Sequence, residues 1–189
     1  MQKLKQLEGK EVLSKDGKYM GKVSDFTYHG DDIEKILVKM NKDILEDIGE
    51  DKPMLSSVKR AISIEKVKAF SDNVVLYDPL SDLPGVFQEF SEENLVSSLR
   101  GMKINSTEGR DVGQVRDILV DVENWTSPSL LVKLNKDIIE TLDLKSSMLS
   151  KSELAISIKH VDKIRDRIML DKSLDEIGEI IEEEPIKKV

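Results

Sequence analysis

Hydrophobic and polar positions alternate in short runs along most of the chain, a pattern typical of β-strands. The apolar pair at 12–13 leads into Asp16-Gly17, a tight-turn signal, and the chain returns through 21–28, so this stretch predicts a β-hairpin. Further β-prone runs follow at 35–40, 61–64, 67–70 and 74–77. Residues 43–48 could form a short helix. Many short strands in a small unit predict a closed or nearly closed barrel, because closure removes exposed strand edges.

The whole pattern occurs twice. A shift of 92 positions superimposes six residues of the first stretch on identical residues: Leu7, Gly9, Gly17, Gly21, Val23 and Asp25 on Leu99, Gly101, Gly109, Gly113, Val115 and Asp117. A shift of 94 aligns the later stretches at 37–44, 54–56 and 61–64 with 131–138, 148–150 and 155–158. The change of shift places a two-residue insertion in the second copy, between Asp117 and Leu131.

The repeat predicts the fold class: mainly β, with two tandem small β-barrels, short helices and a C-terminal helical tail. The predicted domains are a first barrel at 1–78, a linker at 79–98, a second barrel at 99–172 and an acidic, helical tail at 173–189. Units this small bury a limited core, so we expect them to pack on each other or on partners.

Two motifs in each copy resemble the PRC-barrel domain family. The first is Gly-x-Val-x-Asp, at 21–25 and 113–117. The second is a closing pattern of Ile, Ile, Val, Asp and two aliphatic residues: Ile62, Ile64, Val67, Asp72, Val74 and Leu76 in one copy, and Ile156, Ile158, Val161, Asp166, Ile168 and Leu170 in the other. The resemblance implies two PRC-barrel-like units that serve as interaction modules and carry no catalytic motif of their own.

Compact proteins of this kind resemble those linked to archaeal cell division. The resemblance therefore implies a non-enzymatic protein-protein interaction adaptor that links SepF, or a similar division protein, to the FtsZ ring. The alternative is an RNA or ribosome maturation factor in the manner of RimM, although no RimM-like amino-terminal domain is recognised before the first barrel. A reaction-centre H subunit is not expected, because the sequence has no transmembrane span.

Composition and net charge limit the classes of partner that the chain could bind. The chain is 39% hydrophobic, 35% charged and only 4% aromatic, so aliphatic side chains must supply most of the core. Its net charge of -8 makes nucleic acid and anionic lipid poor candidates for partners, and direct membrane insertion is not expected. Without cysteine or a secretion signal, we expect a cytoplasmic protein that a partner recruits to the division site. Weak association through exposed apolar residues would also fit a homodimer.

Catalytic, cofactor and metal sites are not predicted. The histidines, His29 and His160, stand opposite Asp121 and Lys66 in the other copy, so neither belongs to a repeated site. Carboxylates do recur, at 25 and 117 and at 72 and 166, but their positions fit backbone caps and turns better than a metal or acid-base pair. The sequence has no phosphate-binding glycine loop.

Six residues are candidates for partner contact, in three segments. Phe87 and Phe90 lie in the linker, where they either seal the interface between the barrels or form an exposed docking surface. Trp125, the only tryptophan, lies at a predicted hairpin tip in the insertion, either as a binding hot spot or as a lid on its own barrel. The third set forms an apolar stripe in the tail that includes Leu174, Ile177 and Ile181. This amphipathic stripe either docks on its own barrel or a dimer mate, or is a free recognition helix.

Overall fold

The chain divides into two compact units in the computed structural model, which describes residues 1–49, 57–126, 128–142 and 153–183, without the side chains of 181–183. The first unit comprises Leu4–Ser97 and Val122–Trp125. The second comprises Met1–Lys3, Ser98–Asp121 and the described residues from Thr126 onward. The first unit thus takes in most of the segment that the sequence assigns to a linker.

Seven strands and two short α-helices form most of the first unit. They are α1 (Leu4–Leu7), β2 (Glu11–Leu13), β3 (Tyr19–His29), β4 (Asp32–Met40), α2 (Lys42–Asp47), β5 (Lys59–Ser63), β6 (Val67–Phe70), β7 (Val74–Leu76) and β8 (Phe87–Gln88). Short 3₁₀ helices lie at Ile64–Lys66, Leu80–Gly85 and Glu92–Asn94, and a fourth at Val96–Leu99 leads toward the second unit.

The second unit has the corresponding elements. They are β1 (Gln2–Lys3), β9 (Lys103–Asn105), β10 (Asp111–Val120), β11 (Ser129–Leu134), α3 (Lys136–Thr141), β12 (Glu153–Ser157), β13 (Val161–Ile164), β14 (Ile168–Leu170) and α4 (Leu174–Glu183), with a 3₁₀ helix at Ile158–His160. The predicted fold class, mainly β with short helices and a C-terminal helix, is confirmed.

The strand order is the same in the two sheets. It runs β6-β7-β2-β3-β4-β5 in the first unit and β13-β14-β9-β10-β11-β12 in the second. In each unit the two end strands of this path are consecutive in the chain and are joined by one 3₁₀ turn, Ile64–Lys66 or Ile158–His160. Each sheet must therefore curl enough for one short turn to connect these two strands, as in PRC-barrel-like β domains.

Each sheet gains one further strand. In the first unit β8 pairs with β5, and in the second β1 pairs with β10 through Lys3 and Leu119. The first unit has a bridge at the position equivalent to the latter pair, between Leu95 and Thr27. A shift of 92 relates Lys3 to Leu95 and Thr27 to Leu119, so the two pairings are equivalent. Lys3 precedes the first copy and pairs in the second unit, whereas Leu95 precedes the second copy and pairs in the first.

The Gly-x-Val-x-Asp motif marks a bulge in the long strand of each unit. The register of β3 against β4 shifts between Val23 and Asp25, and that of β10 against β11 shifts between Val115 and Asp117. The aspartate accepts the next backbone N–H, from Phe26 at 2.8 Å in the first unit and from Ile118 at 2.9 Å in the second. Both carboxylates are therefore structural caps of the bulge, which agrees with the sequence-based expectation.

Aliphatic side chains from both faces of each curled sheet form the two cores, as the composition requires. Phe26 is the only phenylalanine among the fully buried residues described. The first core includes Leu4, Leu7, Val12, Met20, Ile36, Val38, Ile62 and Leu76; the second includes Ile104, Val112, Ile118, Val132, Leu154, Ile156, Ile168 and Leu170.

Candidate protein-binding surface

The segment after β7 returns across the first unit and adds β8 to its sheet. Pro79 precedes the 3₁₀ helix Leu80–Gly85, whose Leu83 is fully buried. The amide of Leu80 donates to the Asp16 carboxylate at 3.1 Å, which ties the segment to the β2–β3 turn. These anchors bring the chain to β5, where Phe87 pairs with Ile62 and Gln88 with Ala61.

A groove of about 450 Å³ lies at β8. Its lining residues are Lys59, Arg60, Phe87, Gln88, Glu89 and Phe90. Both phenylalanine side chains are half-buried, so each keeps apolar surface toward solvent. The Arg60 guanidinium lies 5.9 Å from the centroid of the Phe87 ring, within the range of a cation–π contact.

The groove borders the edge of a sheet. Among the described strands β8 has one neighbour, β5, and it is the last strand on that side. An edge strand offers backbone N–H and C=O groups to another chain. The carbonyl of Glu89, just beyond β8, accepts a hydrogen bond from Lys35 Nζ at 3.1 Å, which holds the end of the strand in place.

Basic side chains predominate slightly around β8. Lys59, Arg60 and Glu89 line the groove, and Lys35 lies near it in an ion pair with Glu34, so three cations and two anions lie in this part of the first unit. The chain as a whole carries a net charge of -8. The lining of the groove itself holds two cations, Lys59 and Arg60, and one anion, Glu89.

Phe87 and Phe90, predicted from sequence as contact residues, thus lie together at one groove. Sequence reasoning missed Lys59 and Arg60, because only the pairing of β5 with β8 brings them beside the phenylalanines. One sequence signal could have indicated strand β8: Pro84-Gly85 marks the end of a turn, and the β-prone pair Val86-Phe87 follows directly.

Trp125 packs within the first unit, although it belongs to the second copy in sequence. Its ring lies 6.0 Å from that of Phe26 and 5.3 Å from that of Phe70, the latter edge to face. These are favourable aromatic geometries. Trp125 also has a φ of 55°, a left-handed conformation that is costly for a large side chain. The ring therefore covers residues of the first unit and not its own barrel, as one of the two sequence-based alternatives has it, while a role in binding stays a prediction.

The tail stripe faces its own unit. Leu174 is 4% and Ile177 1% exposed, so they offer a partner almost no surface. A Cβ on Gly178 would lie 3.3 Å from Leu142, which places α4 against the end of α3. The position corresponds to the first of the two alternatives for the tail, docking on its own barrel. The side chain of Ile181 falls outside the described residues.

Titratable groups with shifted pKa values are dispersed. Hydrogen bonds from the Ser14 hydroxyl and the Leu80 amide lower the pKa of Asp16, and burial raises the pKa of Tyr28. His160 Nδ1 lies 3.7 Å from the carboxylate of Asp171 at the surface. Within the described ranges, no three His, Cys, Asp or Glu side chains are grouped so that they could hold a metal ion.

The buried carboxylates have local partners. Asp25 accepts the Ser97 amide at 3.1 Å and the Ser97 hydroxyl. Asp117 lies 3.4 Å from the Arg100 guanidinium. Asp25 thus holds Ser97 and Asp117 holds Arg100, so the two acids have different partners and do not form one repeated ligand set.

Helices long and apolar enough to cross a membrane are absent from the part of the chain that the structure describes. No curated protein matches the chain. Among solved structures, the chain is similar to a putative 16S ribosomal RNA processing protein, RimM, from Pseudomonas aeruginosa, with 14% sequence identity. That match covers 82% of this chain and 97% of the other, with a TM-score of 0.28.

Most of the second unit matches a known protein family. Residues 91–177 match the PRC-barrel domain. They span all of β9 to β14 and the start of α4, the elements that build the second curled sheet. Residues 91–177 therefore form a PRC-barrel domain, as the Gly113, Val115 and Asp117 motif predicts.

Proposed function

We propose that this chain is a non-enzymatic adaptor that binds a protein partner at the β8 groove. The observation that carries the proposal is the combination of an edge strand with two half-buried phenylalanines and two basic residues at one place. Apolar contacts supply affinity at such a surface, and free backbone groups add hydrogen bonds in fixed register.

The domain type supports an interaction role. PRC-barrel domains generally mediate protein interactions, and one forms residues 91–177. We propose that the first unit is a second, tandem copy, on the strength of its equal strand order and its Gly21, Val23 and Asp25 motif. We retain the predicted domain limits, 1–78 and 99–172, as part of this proposal.

The resemblance to division-associated PRC-barrel proteins supports a specific setting. We propose that the protein works in the cytoplasm of an archaeal cell, where it links SepF to the FtsZ ring and is recruited to the division site by its partner. A net charge of -8 favours this reading over RNA binding, because a phosphate backbone would be repelled by most of the surface.

The test is affinity capture of the tagged full-length protein from a lysate of its source organism, with and without nuclease and a high-salt wash. Phe87→Ala/Phe90→Ala is the test variant, and Tyr77→Ala, an exposed aromatic outside the groove, is the matched control. We expect nuclease-resistant recovery of SepF or FtsZ, lost in the double variant and kept in the control.

Three results would contradict the proposal. Recovery of ribosomal proteins or RNA only without nuclease would favour a maturation factor. Capture that survives Phe87→Ala/Phe90→Ala would move the binding surface away from β8. Recovery of other proteins through an intact β8 surface would keep the adaptor and remove the division setting.

A further inference from the structure

We infer that the outer edge of β12, in the second unit, binds an extended segment of a partner protein, which adds to the sheet there as β8 adds to β5 in the first unit. The segment carries an aromatic side chain opposite Ile156 and an uncharged polar one opposite Ala155. This surface lies on the other unit from the β8 groove and does not depend on the proposed function.

The strands β5 and β12 are equivalent but have different neighbours. A shift of 94 superimposes Ala61 and Ile62 on Ala155 and Ile156. β5 lies between β4 and β8, whereas β12 pairs with β11 alone among the described strands. Burial reports the difference, because Ala61 is fully buried and Ala155 is only half-buried. The second unit therefore keeps open an edge that β8 covers in the first.

The hydrogen-bond pattern shows which backbone groups of β12 face this edge. The amide of Ile158 donates to the Pro128 carbonyl at 3.0 Å, and the pairing of β12 with β11 continues from there without a register shift. Successive residues of an antiparallel strand turn their N–H and C=O groups to opposite sides, so those of Ile156 face β11. The N–H and C=O groups of Ala155 therefore point outward, where an added strand can bond to them.

The first unit shows what kind of segment occupies this edge. The Met40 amide donates to the Val58 carbonyl at 2.8 Å, so by the same alternation Ala61 turns its N–H and C=O groups toward β8. There Ala61 pairs with Gln88, and Phe87 forms the next pair along β5. A short extended segment with an aromatic residue followed by an uncharged polar one thus fits the edge without displacing another strand.

Charge favours an uncharged segment at β12. The first unit has Lys59 and Arg60 where β12 has Glu153 and Leu154, and residues 155–157 are uncharged. Charged side chains, lysine above all, protect a strand edge from further pairing, and β12 lacks these two cations. In a second copy of this chain β8 is already paired with β5, so the segment comes from a different protein.

The inference is tested by fluorescence anisotropy with the full-length protein and a fluorescein-labelled peptide, Thr-Val-Phe-Gln-Val-Thr, which contains the sequence of residues 86–88. We expect the peptide to bind, and an N-methyl group on its glutamine amide, which faces β12, to weaken binding roughly tenfold. An N-methyl group on its phenylalanine amide faces away from β12 and should leave the affinity unchanged. Phenylalanine to alanine in the peptide should also weaken binding roughly tenfold.

Two variants and one exchange measurement assign the binding to β12. Ala155→Pro removes the outward N–H and should weaken peptide binding roughly tenfold, whereas Ala155→Ser keeps the N–H and should not. In the unaltered protein, saturating peptide should slow amide hydrogen exchange at Ala155 roughly tenfold and leave Ala61, which β8 covers, unchanged. The exchange measurement decides if the proline variant does not fold.

Several results would overturn the inference. They are an absence of binding, equal affinity of the two N-methylated peptides, and binding that survives Ala155→Pro in a folded protein. Slowed exchange at Ala61 instead of Ala155 would mean that the peptide displaces β8 in the first unit. A dimer in light scattering that Ala155→Pro abolishes would assign the edge to a second copy. Capture through Phe87 and Phe90 tests the proposed function alone, so either proposal can fail without the other.

Discussion

Gly21 and Gly113 occupy a backbone conformation that side chains rarely adopt. Their φ angles are 153° and 158°, and a Cβ at Gly21 would overlap the carbonyl oxygen of Lys39 on β4. The first glycine of the Gly-x-Val-x-Asp motif is therefore required by a close approach of two strand backbones.

Gly21→Ala should lower the free energy of unfolding by on the order of 3 kcal/mol, because backbone must move on both strands. Gly85→Ala is the matched control, since a Cβ there meets nothing within 4 Å and should change stability by less than about 0.5 kcal/mol. Urea denaturation followed by circular dichroism measures both. Equal stability of the two variants would show that the strands separate there at little cost.

The C-terminal helix begins with a reciprocal cap. The amide of Ser173 donates to the Glu176 carboxylate at 2.7 Å, and the amide of Glu176 donates to the Ser173 hydroxyl at 3.4 Å. This is a capping box, and it fixes the first turn of the helix that carries Leu174 and Ile177 into the second core. The hydrogen bonds from Ser173 lower the pKa of Glu176 below its ordinary 4.5.

The cap predicts a pH dependence with a definite sign. A lowered carboxylate pKa adds stability that is present above 4.5 and is lost as the pH falls through the folded-state pKa. Glu176→Gln should therefore destabilise the protein more at about pH 6 than at about pH 3. Glu179→Gln, exposed on the same helix, is the control and should show no such difference. Urea denaturation at the two pH values measures the free energy of unfolding of both variants. The same change of stability with pH in Glu176→Gln and Glu179→Gln would contradict the prediction.

At the scale of the whole molecule, each unit is completed by a segment from outside its own copy. Gln2 and Lys3 add to β10 in the second unit, and Leu95 bridges to Thr27 in the first. On one side of β10, β9 pairs only with residues 111–114. On that side β1 therefore supplies hydrogen-bond partners near the end of β10. Residues 1–3 thus belong to the second unit, although the match to the PRC-barrel domain covers residues 91–177.

Gln2→Pro/Lys3→Pro should remove this pairing, because proline has no backbone N–H to donate. We expect amide hydrogen exchange to accelerate roughly tenfold at whichever of Leu119 and Val120 directs its N–H toward β1, equivalent to about 1.4 kcal/mol of local stability. Gln2→Ala/Lys3→Ala keeps both amides and is the control. Unchanged protection in the proline variant would mean that β1 contributes nothing to the stability of β10.

The alternation of apolar and polar residues determined most of the strands in advance. The predicted runs at 67–70 and 74–77 correspond to β6 and β7, and the predicted hairpin at 12–28 to β2 and β3. Turn signals and side-chain periodicity are local properties, so the sequence carries them directly. The predicted strand at 61–64 starts earlier, at Lys59, and ends at Ser63, where the Ser63 side chain caps a 3₁₀ turn.

Contacts between distant segments were decided only by the tertiary structure. The sequence marked Phe87, Phe90 and Trp125, but pairing of β8 with β5 put Arg60 beside Phe87, and the fold set Trp125 on Phe26 and Phe70. The sequence left Leu174 and Ile177 in a stripe that either docks or stays free, and in the structure both side chains are buried in the second unit. Periodicity fixes which face of an element is apolar, whereas what covers that face depends on chain closure over tens of residues, which no local pattern encodes.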